Sequence, residues 1–299
     1  MGIHKFLLSV IAIIIVLLVV TAWFYPVNDD FAVENPLWNG IRNISEVHEI
    51  QPLNSLSNLP AIATGATLVL IPYSEFTEEE LGEVYRFVMD GGRLILADDY
   101  GYGNQVLEPM DIDTRFSGQV LIDPLIYHSN QYFPVISHFA TDPLTVDTEN
   151  LVLNHATGLI NVPDDNIIAS SSSFSFLDLN DNGERDDNEP AESLPVISRC
   201  ELGDGEVILL SDPSLFINIM GQLQDNRCFI KNITAPGDSL YIDQSHLSLS
   251  ELHYSKDLLR RALDAMKNPA VTAGLLAIAL VLALIPIWHR KKKHAQSNP

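Results

Sequence analysis

Cysteine, positive charge and catalytic signatures are the scarce features of this sequence. Two cysteines in 299 residues rule out a small scaffold held together by several bridges. Lys and Arg number 17 against 39 Asp and Glu, a formal charge of −22. Such a balance argues against nucleic acid as a partner, because a phosphate backbone is bound by clustered cations. Neither G-x-S-x-G, a P-loop, a full G-x-G-x-x-G nor a cysteine in a G-x-C-x-G elbow occurs. Gly101-Tyr102-Gly103 is only a fragment of a phosphate loop, so no nucleotide or organic cofactor is indicated. Apolar residues make up 46% of the chain, which excludes general disorder and suffices for a sizeable core.

The charge is unevenly placed. All 39 acids fall between residues 26 and 268, whereas Lys5 and Arg290, Lys291, Lys292 and Lys293 lie outside that span. Between basic ends and acidic middle sit two apolar stretches. Phe6 to Tyr25 has no charge, and 14 of its residues are Leu, Ile, Val or Phe. At a rise of ~1.5 Å per residue it spans a hydrocarbon layer of ~30 Å. A cleaved signal peptide is the alternative, but the run is long and ends in Trp23, Phe24 and Tyr25, which suit an interfacial aromatic belt. Ala270 to Trp288 is a second, weaker stretch that Pro286 would only kink. The positive-inside rule then gives a two-span cell-membrane protein with both termini cytoplasmic. Its expected parts are residues 1–25 (cytoplasmic N-terminus and first span), 26–268 (an extracytoplasmic α/β domain), 269–288 (second span) and 289–299 (a basic cytoplasmic tail).

Within the middle, Thr67 to Tyr73 (TLVLIPY) is an apolar run of buried-strand length. Thr77 and Glu80 form a T-x-x-E capping box, and Leu81, Val84, Tyr85 and Val88 recur at helical spacing. Gly91 and Gly92 end that helix before a second buried strand, Arg93 to Asp98. A strand, helix and strand in succession predict a parallel pair. LPVISRCEL, Gly203-Asp204-Gly205 and EVILLSD read as a β-hairpin, whose second strand feeds Asp212 and Pro213 as the N-cap and first residue of a helix. Ser239 to His246 is expected to be the last strand, and Glu251 to Lys267 a mostly polar helix leading to the second span. Residues 105–170, interrupted by proline, read only as short strands and loops.

Together, the capped helix, "GGRLILADD", "GDGEVILLSDPSLFIN" and "DNRCFIKNI" between two apolar stretches resemble a prokaryotic membrane-anchored family, domain of unknown function 4350. That resemblance covers roughly residues 35 to 265. It implies a flavodoxin-like, class I glutamine amidotransferase-like fold, here with a mostly parallel sheet, an added antiparallel hairpin and a flanking membrane helix on each side. It also implies a setting beside MoxR-type ATPases, hence a membrane assembly or maturation complex. The amidotransferase cysteine is missing, since Cys200 falls in a hairpin strand and Cys228 in a helix.

In an open sheet of this class, ligands bind beyond the carboxyl ends of the strands. That edge should carry Tyr73 and Ser74, then Asp98, Asp99 and Tyr100, then Asp212 and Ser214, with Asn218 and Asn226 following. Such a row favours a cation or a polyhydroxyl ligand, unless Asp98 and Asp212 simply cap turns and helices. A separate loop, Asp178, Asn180, Asn182, Gly183, Glu184, Asp186 and Glu189, fits D-x-[DN]-x-[DN]-G-x5-E, the oxygen spacing of a calcium site. Arg185 and Pro190 depart from that pattern, and an acidic solvated turn is the alternative. The six histidines between residues 26 and 268 show no metal-ligand spacing. Cys200 and Cys228, both expected outside, are either a disulfide or two free thiols. The resulting expectation is a membrane-bound binding or assembly subunit that performs no catalysis. An enzyme acting on an extracellular substrate and a calcium-stabilised structural module are the competing readings.

Overall fold

Strands with apolar side chains on both sides must be covered on both faces, and this decides the layering of the protein. A computed structural model describes residues 3–61, 65–234, 239–278, 280–281 and 284. In chain order it contains α1 (Ile3–Phe24), α2 (Arg42–His48), β1 (Gln51–Leu53), β2 (Ala66–Leu70), α3 (Glu78–Met89) and β3 (Arg93–Ala97). There follow β4 (His138–Phe139), β5 (Ile167–Ser170), β6 (Pro195–Leu202), β7 (Gly205–Leu210), α4 (Asn226–Thr234), β8 (Ser239–Asp243) and α5 (Glu251–Lys267).

The eight strands form one sheet in the order β1-β8-β2-β3-β7-β6-β5-β4. The first five run parallel, and β7, β6, β5 and β4 are joined by antiparallel pairings. This is a mixed α/β fold with a mostly parallel central sheet, as the sequence pattern indicates. Side chains alternate across it. Val69, Ile95, Ile208 and Ile242 join one core with Phe229, Ile230 and Ile233 of α4. Leu68, Leu94, Leu96 and Val207 join the other with Val84, Phe87 and Val88 of α3. The capping box of α3 is present, with Thr77 and Glu80 bonding each other's backbone N–H. The last strand, β8, enters the sheet between the two earliest, β1 and β2.

Between β3 and β6 the chain makes a long excursion braced by three two-stranded ladders. Arg115–Phe116 pairs with Leu159–Ile160, Val120–Ile122 with Phe176–Asp178, and Val135–Ile136 with Leu151–Val152. The hairpin of β6 and β7 turns at Gly203-Asp204 as expected.

Pro26–Leu249 is one compact unit; α5, assigned to the α/β domain by its sequence position, groups instead with the terminal segments. Lys256 is the only buried residue of α5. Among the described residues one helix, Phe6–Phe24, is long and apolar enough to cross a membrane, as an anchor or a signal sequence. The expected second span is seen only as a shorter apolar helix, Pro269–Ile278. At ~1.5 Å per residue that length covers about half of a hydrocarbon layer. Most of the remaining expected span, and the whole basic tail, lie outside the described residues.

Two glycines test this packing in opposite directions. A Cβ on Gly205 would strike the carbonyl oxygens of Gly92 and Val88, whereas one on Gly82 in α3 would meet nothing within 4 Å. In denaturant unfolding, Gly205→Ala should lose about 1–3 kcal/mol. Gly82→Ala should gain up to about 1 kcal/mol from the better helix former.

Candidate binding site at the carboxyl edge of the sheet

Parallel strands end together, and the polar residues at their ends must bond to the turning backbone or to solvent. Asp98, at the end of β3, is buried and accepts N–H bonds from Tyr100 (2.9 Å) and Gly103 (2.6 Å). Asp212, at the end of β7, is buried too and accepts from the N–H of Ser214 and of Asn154, both at 2.7 Å. It caps the short 3-10 helix Pro213–Phe216. Burial raises the Asp98 carboxyl above its ordinary range and pushes Asp212 up to about 7. These two acids therefore hold turns.

Asp99 differs from its neighbour. Among the described residues, no other residue donates a hydrogen bond to its half-buried carboxylate. Burial, and then the charges of Asp212 and Asp98, push it up to about 7. The adjacent rings are Tyr73 and Tyr100, with centroids 5.9 Å apart, and Phe31 packs on Tyr73 at 5.7 Å. The Tyr73 hydroxyl is raised by burial, then by Asp99, Tyr100, Asp30 and Asp212; that of Tyr100 is raised first of all by Asp99. One negative field thus covers Asp30, Tyr73, Asp99, Tyr100 and Asp212. Chemically it offers a carboxylate titrating near neutrality, two hydroxyl donors and aromatic faces, a combination suited to a cation.

The other expected residues divide. Ser74 is exposed at the mouth, and Ser214 is the N–H donor to Asp212. Asn218 and Asn226 are pins instead of ligand groups. Asn218 accepts from Asn43 N–H and donates to the carbonyls of Asn35 and Leu37, fixing the entry segment of the unit. Asn226, fully buried, bonds both backbone groups of Val152 and the Met220 carbonyl.

Asp30, Phe31 and an Asp–His–Glu clamp escaped the sequence reading. Asp243, at the end of β8, accepts from Ser245 N–H (3.0 Å) and His246 N–H (3.1 Å) and meets His246 Nδ1 at 2.7 Å. His246 Nε2 lies 3.7 Å from Glu80, its ring stacks on Phe76 at 4.1 Å, and its carbonyl accepts from Tyr73 N–H. The buried imidazole so fastens β8 and the cap of α3 to the Tyr73 loop. A D-x-x-H run directly after a strand was the available signal.

The acidic loop folds as a closed ring. Asp178 accepts from Asn182 N–H (3.2 Å) and Gly183 N–H (2.8 Å), and Glu189 from Leu179 N–H (2.8 Å) and Asp186 N–H (2.9 Å). The amides of Asn180 and Asn182 both donate to Asp186. No three Asp, Glu, His or Cys side chains converge enough to hold a metal ion among the described residues. Both cysteines are free thiols, so the disulfide alternative is not realised. Cys200 packs against the α3-side core, and Cys228 on α4 points its thiol at the Val146 carbonyl.

Residues 40–234, most of the unit that carries this edge, match the family described as Domain of unknown function (DUF4350). The chain belongs to this family. No curated protein sequence shows significant similarity to it. Among solved structures it is similar to the "mmIFT52 N-terminal domain" at 13% identity and a TM-score of 0.45, over 62% of this chain and 83% of that one. It also matches a beta-galactosidase from Bacillus circulans sp. alkalophilus at 11% identity and a TM-score of 0.33, over 56% of this chain and 22% of that enzyme. A third match is the exo-beta-1,4-mannosidase Op5Man5 from Opitutaceae bacterium strain TAV5, at 15% identity and a TM-score of 0.29, over 56% and 24%. The chain spans about a quarter of the length of those glycosidases or less.

The acids at this edge set a pH dependence. The folded-state values of Asp99 and Asp212 near 7 lie above the ordinary 3.8, so the folded state binds more protons between those limits. Their cost to stability is therefore greatest above about pH 7 and fades as pH falls toward 4. Asp99→Asn should stabilise the protein by roughly 1–2 kcal/mol above neutrality, after allowance for its partial exposure. Denaturant midpoints taken across that range should show this gain vanish at the acidic end.

Proposed function

We propose that the protein is a membrane-anchored, extracytoplasmic binding subunit. At the crevice of Tyr73, Asp99, Tyr100 and Asp212 it holds a cationic group, such as a Lys or Arg side chain of a partner protein, and performs no chemistry on it. The observation that carries this reading is the Asp99 carboxylate, which among the described residues receives no hydrogen bond from another residue and lies beside two aromatic rings in a field already negative. A group in that condition gains most from an arriving cation, which relieves acid–acid repulsion and meets ring faces at once. His246, the buried imidazole of this edge, has both ring nitrogens facing carboxylates, which suits a clamp better than a general base. The apolar helix Phe6–Phe24 supports the anchor, and the acidic middle between basic ends supports an external domain with both termini inside. Likeness to flavodoxin-like, class I glutamine amidotransferase-like domains, and a MoxR-type ATPase complex as the setting, come from the family resemblance.

Full-length protein, solubilised in mild detergent and cross-linked with a carbodiimide, tests this directly. A carboxylate-to-lysine cross-link from Asp99 to a partner should form and disappear in Asp99→Asn, with the fold retained. A partner recovered equally by both proteins, or a catalytic turnover lost on that substitution, would sink the proposal.

A second reading concerns calcium and is favoured by one observation: the two end carboxylates of the acidic ring, Asp178 and Glu189, are buried, and among the described residues no Lys or Arg pairs with them. Calcium there would be held by Asp178, Asn180, Asn182, Glu184, Asp186 and Glu189 and would supply the missing positive charge. It would be a structural ion. Calcium should then raise the thermal midpoint of the full chain above its value in chelator, and Glu189→Gln should abolish the difference. Identical midpoints with and without calcium reduce the loop to a solvated turn.

A further inference from the structure

In a domain this acidic, positive charges are expected to be captured by carboxylates, so those left alone are informative. Of the eight Lys and Arg in Pro26–Leu249, Arg42, Arg86, Arg93 and Arg199 pair with Glu46, Glu83, Glu206 and Asp142. Arg115 donates to the carbonyls of Ile112 and Thr114. Three have no such partner among the described residues: Arg185, Arg227 and Lys231. Arg227 and Lys231 stand one turn apart on α4, and Arg227 forms part of the wall of a groove of about 450 Å³.

The groove lies between α2 and the segment that leads into α4. Ile44, Gly221 and Ile230 make its apolar part, and Asn43, His48 and Gln222 add polar groups. One acid, Glu46, also lines it but is tied to Arg42 at 2.7 Å. Asp225, just before α4, is spent on the N–H groups of Glu149 and Asn150, both at 2.9 Å. The volume is within the range of small-molecule sites, roughly 300–1,000 Å³.

We propose that this groove binds a small oxyanion carried on an apolar body, a phosphate monoester or a carboxylate. Arg227 and Lys231 are its charge partners, and Ile44 and Ile230 its apolar contacts. His48 supports the placement of both cations, since burial and then the charges of Arg227 and Lys231 hold its pKa below the ordinary value. The pairing of cations with apolar surface excludes a bare metal ion, and two cations are too few for a polyanion. The site is independent of the acidic crevice and opposite to it in charge.

Calorimetry on the full chain in mild detergent tests this, with phenyl phosphate as the probe and benzyl alcohol and inorganic phosphate as comparisons. Phenyl phosphate should bind saturably and more tightly than inorganic phosphate, and benzyl alcohol should not bind. Arg227→Gln and Lys231→Gln, both at exposed positions, should each weaken phenyl phosphate by about tenfold. Arg185→Gln should leave it unchanged. Absence of saturable binding, equal affinity in Arg227→Gln, or equal binding of benzyl alcohol would overturn the proposal.

Discussion

One interaction recurs at the ends of four strands: an aspartate side chain turns back to accept the N–H two residues further on. Asp98 does this to Tyr100, Asp123 to Leu125, Asp212 to Ser214 and Asp243 to Ser245. All four are buried. Each carboxylate satisfies backbone donors that the end of a strand leaves free. Three of these turns, at Asp98, Asp212 and Asp243, lie at the carboxyl edge of the eight-stranded sheet. Against that pattern, Asp99 is the exception: half-buried beside Asp98 and Asp212, it accepts no N–H from another residue among those described. The same rule that explains the structural acids sets Asp99 apart, the residue on which the proposed binding rests.

The parts that were legible in the sequence are those governed by neighbours in the chain. TLVLIPY and RLILAD read as buried strands because they are apolar runs of strand length, and the helix between them is announced by Thr77 and Glu80. The Gly203-Asp204 hairpin is equally local. What was not legible depends on contacts far apart in sequence. Nothing near Ser239–Asp243 says that this strand inserts between β1 and β2. Asn218 and Asn226 have the residue type of ligand-binding side chains, yet their partners, Asn35, Leu37, Asn43 and Val152, lie 74 to 183 positions away. Asp98 and Asp99 were indistinguishable as neighbours in a row of acids; strand alternation sends one into the turn and leaves the other at the mouth.

The insertion of β8 has consequences beyond topology. Because Asp243 and His246 follow it, the late arrival of this strand carries the clamp that fixes Tyr73 through its backbone and the start of α3 through Glu80. Tyr73 in turn sets the position of Tyr100 and Phe31. The binding edge is thus completed by residues near the end of the unit, together with Asp30 and Phe31 near its beginning. Neither half of the sequence contains it.

Charge ties these features together. A domain with so few cations has little to spare, and five of the eight in Pro26–Leu249 are spent on carboxylates or carbonyls that brace the fold. Elsewhere, buried acids such as Asp98 and Asp212 are held by backbone N–H groups, and Asp99 and Asp212 are pushed up to about 7. Among the described residues Arg227 and Lys231 have no ion-pair partner, and two acids of this region, Glu46 and Asp225, are already engaged elsewhere. Pairing of that kind does not merely stabilise: by removing the local competitors it preserves a positive groove on a negative domain. On the two proposals above, the surface would sort ligands by sign, with cations drawn to the sheet's carboxyl edge and anions to Arg227 and Lys231.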